Sequence, residues 1–478
     1  MNMQRLALAS SLLVLLAGCA AVGPDYRVPA SAKVNLPAAH AAFIDEHNTA
    51  VDGTAVAPDA WWTLYDDATL NALENQAFEA NAGLKAAEAN LRRAYAVADM
   101  TRAEGGFSGG ASATAERTLI SAESFLQSEK LPTFSVAAAG VTASYEFDLF
   151  GKLARATEAA NADADAVQAT RDLARITVAA QVAHSYISLC ETAHDLDIAT
   201  HTIEIQQHSA DIARRMLDAG LGNRIDVTRA TTQVDLARAV LPALQRRREA
   251  SGYALAALLG RTPGDIPAQA QACHEAPHLA QAMPVGDGMA LLRRRPDVRE
   301  AERRLAAATA RIGVATAELY PTVSIGGSLG DNGVLADFGK APARYWSIGP
   351  LITWSFPTKS AHERVRATEA GADAALAQFD QTVLDALKET QTALSDYARA
   401  LEHQAALHQA LADATLASDQ AHALYKAGRA PYLSSLDAER TRSSTEAADA
   451  EADNAVSDAQ IRLFFALGGG WKRATPAP

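Results

Sequence analysis

From Lys152 to Ala219 the chain runs 68 residues without a glycine or a proline. As a single helix rising 1.5 Å per residue, that stretch extends roughly 100 Å, several times the width of a small domain. Its apolar residues fall into two heptad series, Val182, Leu189, Leu196, Ile203, Ala210 and Leu217 in one, Ile198, Ile205 and Ile212 in the other. The series sit roughly 150–160° apart around the helix, so each faces a different neighbour. A two-stranded coiled coil needs one seam, whereas two seams suit a stave in a closed wall.

A third lane carries no apolar residue. His194, His201 and His208 alternate there with Asp197, Glu204, Asp211 and Asp218. Such a lane faces water, outside or in a lumen. A His/carboxylate ladder for metal or protons is chemically conceivable, because residues three apart share a helix face. The regular repeat favours a solvated acidic lane, and no metal and no cofactor is expected.

The rest of the chain repeats one plan. Residues 61–260 read as a helix, a β-hairpin at about 107–148, the long helix 152–219 and a return helix 224–259, with Pro242 inside it. Residues 288–468 read likewise: helix 296–319, hairpin at about 321–357, long helix 358–427 with Gly371 as its only breaker, and return helix 432–467. Gly220 corresponds to Gly428 and Gly260 to Gly468, each at an offset of 208. In the hairpins the period drops to two: Val141, Ala143, Tyr145 and Phe147 alternate with Thr142, Ser144 and Glu146, and Ile348, Ile352 and Trp354 alternate with Ser347 and Thr353. Two hairpins provide four strands, too few to close around a hole, so the chain must borrow strands from its own copies, and three copies give twelve.

At the N-terminus, Arg5, an apolar run Leu6–Leu16 and Leu16-Ala17-Gly18-Cys19 form a signal segment over residues 1–18. It resembles a bacterial lipoprotein signal with lipid attached at Cys19; an ordinary signal peptide with an incidental cysteine is the alternative. Residues 19–60, with four prolines, read as an extended tether, 261–287 as a linker, and 469–478 as a tail. Cys190 and Cys273 remain, and sequence alone cannot place them within bonding distance. A net charge of −13 argues against nucleic acid, and the short runs Arg246–Arg248 and Arg293–Arg295 do not reverse that.

These motifs together resemble the TolC-like outer-membrane factors, in particular the NodT-type efflux lipoproteins. The resemblance rests on Cys19 followed by Val22-Gly23-Pro24-Asp25-Tyr26, on Glu146–Gly151, on Leu291–Val298 running on to Glu318–Pro321, and on Tyr425–Gly428, Tyr432–Ala438 and Leu467–Trp471. It implies a mainly α fold with a small β part: a homotrimeric tunnel with a long helical barrel and a shared twelve-stranded transmembrane β-barrel. It also implies a lipid-anchored place in the outer membrane, extending into the periplasm, and partnership with a periplasmic adaptor and an inner-membrane pump. By the family's pattern, Gly220, Leu221, Gly222, Gly428 and Arg429 form the adaptor-docking tips, and Leu433 and Asp437 the periplasmic aperture. The first repeat departs from the pattern at Gly105-Gly106-Phe107, where the second has Leu319-Tyr320-Pro321.

The expected function is therefore passive conduction in efflux. A secreted helical scaffold or adhesin is the alternative, though a scaffold has no need of apolar-out strands. No nucleophile elbow, phosphate loop or H-E-x-x-H motif marks an enzyme.

Overall fold

The computed structural model of the chain describes residues 21–44, 50–279 and 281–469. The signal segment, Cys19 and all of the tail but residue 469 lie outside them. In chain order the elements are β1 (Val51–Asp52), α1 (Ala68–Ala80), α2 (Ala82–Ala103), β2 (Phe107–Thr118), β3 (Phe134–Phe147), α3 (Lys152–Asp218) and α4 (Arg224–Leu258). There follow α5 (Ala268–Gln271), β4 (Met283–Pro284), α6 (Gly288–Arg294), α7 (Pro296–Ala317), β5 (Thr322–Val334), β6 (Arg344–Thr353), α8 (Lys359–Lys426) and α9 (Tyr432–Ala466). The long helices number 67 residues in α3 and 68 in α8. Gly371 does not break α8, which runs through it; an interior glycine costs about 1 kcal/mol, too little to end so long a helix. Nor does Pro242 end α4.

The chain divides into two compact units. Of the described residues, one unit gathers those from 21 to Pro29, Asn90–Val167 and Glu300–Phe379; the other holds those within Ala30–Ala89, Gln168–Arg299 and from Asp380 to residue 469.

The first unit contains a four-stranded antiparallel sheet in the order β2-β3-β5-β6. Register places Phe107 opposite Tyr145, Tyr145 opposite Ile325 and Ile325 opposite Pro350; Val141 faces Leu329, and Leu329 faces Trp346. Directly paired residues share a face, so these rows make one apolar side. The other side carries Ser108, Thr142, Ser144, Ser324 and Ser328, and the Ser328 and Ser347 hydroxyls hydrogen-bond across it at 2.7 Å. Phe107, Leu329, Trp346, Ile348 and Ile352 are all exposed.

The described part of the expected extended tether packs against the helices. Arg155 donates to the Val22 and Gly23 carbonyls at 3.2 and 3.3 Å and to Asp25 at 2.6 Å, and Tyr26 donates to Glu302 at 2.7 Å. Gly23 has φ +87°, and a Cβ there would run into the Gly313 backbone. Further along, Ala32, Ala39, Phe43 and Ala57 are buried, and β1 pairs in parallel with β4. Proline-rich composition indicates an extended backbone but not whether that backbone has a groove to lie in.

The core of the second unit is built from α1, α3, α4, α8 and α9 around Trp61, whose ring stacks on Phe464 at 4.6 Å. The run Arg293–Arg295 serves this region. Arg295 donates to both oxygens of Asp297, to Glu389 at 2.8 Å and to the Ala466 carbonyl at 3.0 Å, while Arg294 donates to the carbonyls of Ala57 and Pro58. Cys190, fully buried on α3, is disulfide-bonded to Cys273 with the Cα atoms 4.9 Å apart.

Candidate functional site: the helical tips and aperture

The two sharp reversals have the same backbone. Gly220 has φ +69° and Gly428 φ +67°. At the first, Gly220 N–H donates to Leu217 O and Leu221 N–H to Met216 O; at the second, Gly428 N–H donates to Tyr425 O and Arg429 N–H to Leu424 O, all four at 2.9 Å. This is the paired 6→1 and 5→2 pattern of a helix ended by a left-handed residue, which a glycine adopts without steric cost. No atom lies within 4 Å of where a Cβ would sit on either glycine. The requirement for glycine is conformational there, with no crowding behind it.

The return helices start differently. The Asn223 side chain accepts from Asp226 N–H at 2.9 Å as the N-cap of α4, whereas α9 starts behind Pro431 with no side-chain cap. Tyr432 anchors α9 by donating to the Ser209 carbonyl of α3 at 3.1 Å and packing on Tyr425 at 5.2 Å.

Leu433 and Asp437 are one turn apart on the same exposed face of α9. They line a cavity of about 660 Å³ together with Leu221, Gly222, Asp226 and Arg229. The structure thus brings the first tip and both expected aperture residues into one place. Gly220, Gly428 and Arg429 are not among its lining residues and are exposed at the turns.

Asp197, Glu204, Asp211 and Asp218 all lie on an exposed face of α3, with His194, His201 and His208 between them. Asp197 meets His274 Nδ1 at 3.1 Å, and His201 stands 3.8 Å from Glu204. Among the described residues, the lane brings no three ligand atoms together as a metal cluster. The first apolar series is buried at Val182, Leu189, Ile203 and Ala210, whereas Ile198, Ile205 and Ile212 are half-buried.

One charged group here had no signal in sequence. Glu191, on the buried side of α3, has its carboxyl pushed up to about 7, first by burial and further by Asp458 and Asp195, against the opposing effects of Ser457 and Arg247. His184 and Asp458 pair beside it at 3.0 Å. A raised carboxyl keeps its proton in the folded state, so folding stability falls as pH rises from about 4.5 to about 7 and stays lower above that. Glu191→Gln is expected to raise stability at pH 8 by on the order of 2–3 kcal/mol and to gain almost nothing at pH 4. Thermal midpoints at the two pH values check this, and an equal gain at both would contradict it.

A sheet with an apolar outer face, joined to very long helices that end in capped reversals, defines a channel-forming protein of the outer membrane. Residues 73–261 and 289–469 match the family described as outer membrane efflux protein, and the chain belongs to that family. Nodulation protein T of Rhizobium leguminosarum bv. viciae is 28% identical over 97% of this chain and 93% of its own length. The outer membrane protein OprJ of Pseudomonas aeruginosa is also 28% identical, over 96% of this chain and 95% of its own. Among solved structures, the outer-membrane channel OprN superposes with a TM-score of 0.85 at 34% identity, covering 94% of this chain and 99% of that one. The open-state MtrE channel of Neisseria gonorrhoeae gives 0.82 at 26% identity, covering 96% and 100%. This chain is accordingly the outer-membrane channel component of a tripartite efflux system.

Proposed function

We propose that three copies of this chain close into one passive conduit, with a twelve-stranded barrel in the outer membrane and a helical barrel in the periplasm. The observation that carries this reading is the open sheet: β2 and β6 are its edge strands, and one of its faces is apolar and exposed. Four strands cannot close around a lumen, and an unpaired edge is not tolerated in lipid. The half-buried Ile198, Ile205 and Ile212, with exposed Leu236 and Val240 on α4, are the seams left for neighbouring copies. Cys19, with lipid attached, is the anchor. The turns at Gly220–Gly222 and at Gly428 and Arg429 are the adaptor-docking tips. No chemical step is assigned to the chain, because the pump performs the work.

In this reading Leu433 and Asp437 form the aperture: three leucines make an apolar constriction, and three carboxylates attract cations and repel anions. Asp437→Ala is expected to raise single-channel conductance about two-fold or more and to lower cation selectivity. Planar-bilayer recording of the purified protein measures both quantities. A parent protein that is monomeric in mild detergent and gives no conductance steps would overturn the proposal, while unchanged conductance in the variant would remove Asp437 from the aperture.

A further inference from the structure

Away from the tips, α8 and α9 bring together three side chains that the channel reading does not use. His408 projects from α8 toward Asp449 and Asp453, which are one turn apart on α9. His408 Nε2 lies 3.2 Å from Asp453 Oδ1 and 3.4 Å from Asp449 Oδ1. Asp449 is only 9% exposed, and its Oδ1 is buried without a hydrogen-bond donor.

A single N–H on Nε2 cannot serve both carboxylates. It is within reach of Asp453, which also accepts from Gln404 at 2.8 Å, and the buried oxygen of Asp449 is left without a partner. Leaving such a group unsatisfied costs about 1–3 kcal/mol. A cation that takes the place of the Nε2 proton would satisfy all three groups at once.

The spacing fits a particular cation class. Ligands held at about 2.0–2.1 Å in a tetrahedron stand about 3.3 Å from one another. His408 Nε2 is already at 3.2 and 3.4 Å from the two carboxylates, and all three ligand atoms lie within 4.8 Å of one another, so a small rotation of the side chains closes the set. One imidazole and two carboxylates suit zinc(II) and similar first-row divalent ions better than magnesium or calcium, which prefer an all-oxygen shell. We propose that His408, Asp449 and Asp453 form a binding site for a divalent transition cation of the zinc(II) class. The bound ion clips α8 to α9, and a water completes its coordination.

The test uses the purified, detergent-solubilised protein after chelator treatment. Calorimetric titration with zinc(II) is expected to show one saturable site per chain, and cobalt(II) in its place is expected to give the intense visible band of tetrahedral coordination. His408→Gln and Asp453→Asn, both at accessible positions, should weaken binding at least ten-fold with unchanged far-ultraviolet circular dichroism. Zinc should also raise the thermal midpoint of the parent and leave that of both variants unmoved. His201→Gln and Glu204→Gln, on the exposed lane of α3, serve as controls and should bind as the parent does. The proposal is overturned if the parent shows no saturable heat, or if binding survives unweakened in His408→Gln and Asp453→Asn.

Discussion

Ile348→Arg is expected to lower the yield of assembled protein in outer-membrane extracts at least ten-fold, while Ser347→Arg, one residue away, leaves most of it in place. Ile348 sits near the middle of β6 on the apolar face and is 71% exposed. It pairs with Gly327 of β5, between the rows of Trp346 with Leu329 and Ile352 with Val323. An arginine on the lipid face near the bilayer midplane costs about 2–4 kcal/mol, and in a trimer that cost is incurred three times. Against a folding stability of about 5–15 kcal/mol, the sum is decisive. Ser347 faces the opposite side, where its partner is the Ser328 hydroxyl, and a charge facing a wet lumen costs little. The comparison needs only membrane fractionation and immunodetection of the two variants. Equal loss in both would mean that the two faces of the sheet have been assigned wrongly.

The second large effect concerns the bond between α3 and the connection that follows α4. Cys190 and Cys273 are 83 residues apart in sequence, and closing a loop of that length removes about 4–5 kcal/mol of unfolded-state entropy in the chain model. Measured losses are commonly about 2–5 kcal/mol. Cys190 is fully buried among Ile187, Leu189 and Leu255 of the main core, so a serine there would add a buried hydroxyl to the change. The paired variant Cys190→Ala with Cys273→Ala avoids that and is expected to lower the unfolding free energy by about 3–4 kcal/mol. The parent under reducing conditions should fall to nearly the same stability. Denaturant titration with and without reductant checks both expectations, and a parent indifferent to reductant would show that the bond contributes nothing.

Both effects bear on how far the function could be read before the fold was known. Which strand residues point outward was evident from the alternation of Val141, Tyr145 and Phe147 with Thr142, Ser144 and Glu146, because side chains on a strand must alternate. That the two hairpins join edge to edge through β3 and β5 was not evident. The same applies to Arg155, whose grip on Val22, Gly23 and Asp25 spans more than a hundred residues of sequence. Composition suggested an extended tether and was silent on what it packs against, whereas the tertiary structure puts Phe43 and Ala57 into the core. Glu191 is one of many acidic residues along α3 in sequence, and only its position on the buried side of that helix raises its carboxyl.

Local rules were enough wherever the cause was local. The absence of glycine and proline gave α3 its length, α8 runs to nearly the same length through a single glycine, left-handed glycines placed the reversals at Gly220 and Gly428, and the heptads separated the buried apolar series of α3 from the half-buried one. These follow from backbone sterics and from periods of a few residues, which any short window of sequence contains. The tertiary structure alone decided the joining of Cys190 to Cys273, the seating of the N-terminal segment, the shared cavity of Leu221, Leu433 and Asp437, and the meeting of His408 with Asp449 and Asp453. Each of these depends on how elements far apart in the chain align along helices tens of ångströms long. A displacement of one turn, about 5.4 Å, would separate every such pair without altering any local pattern.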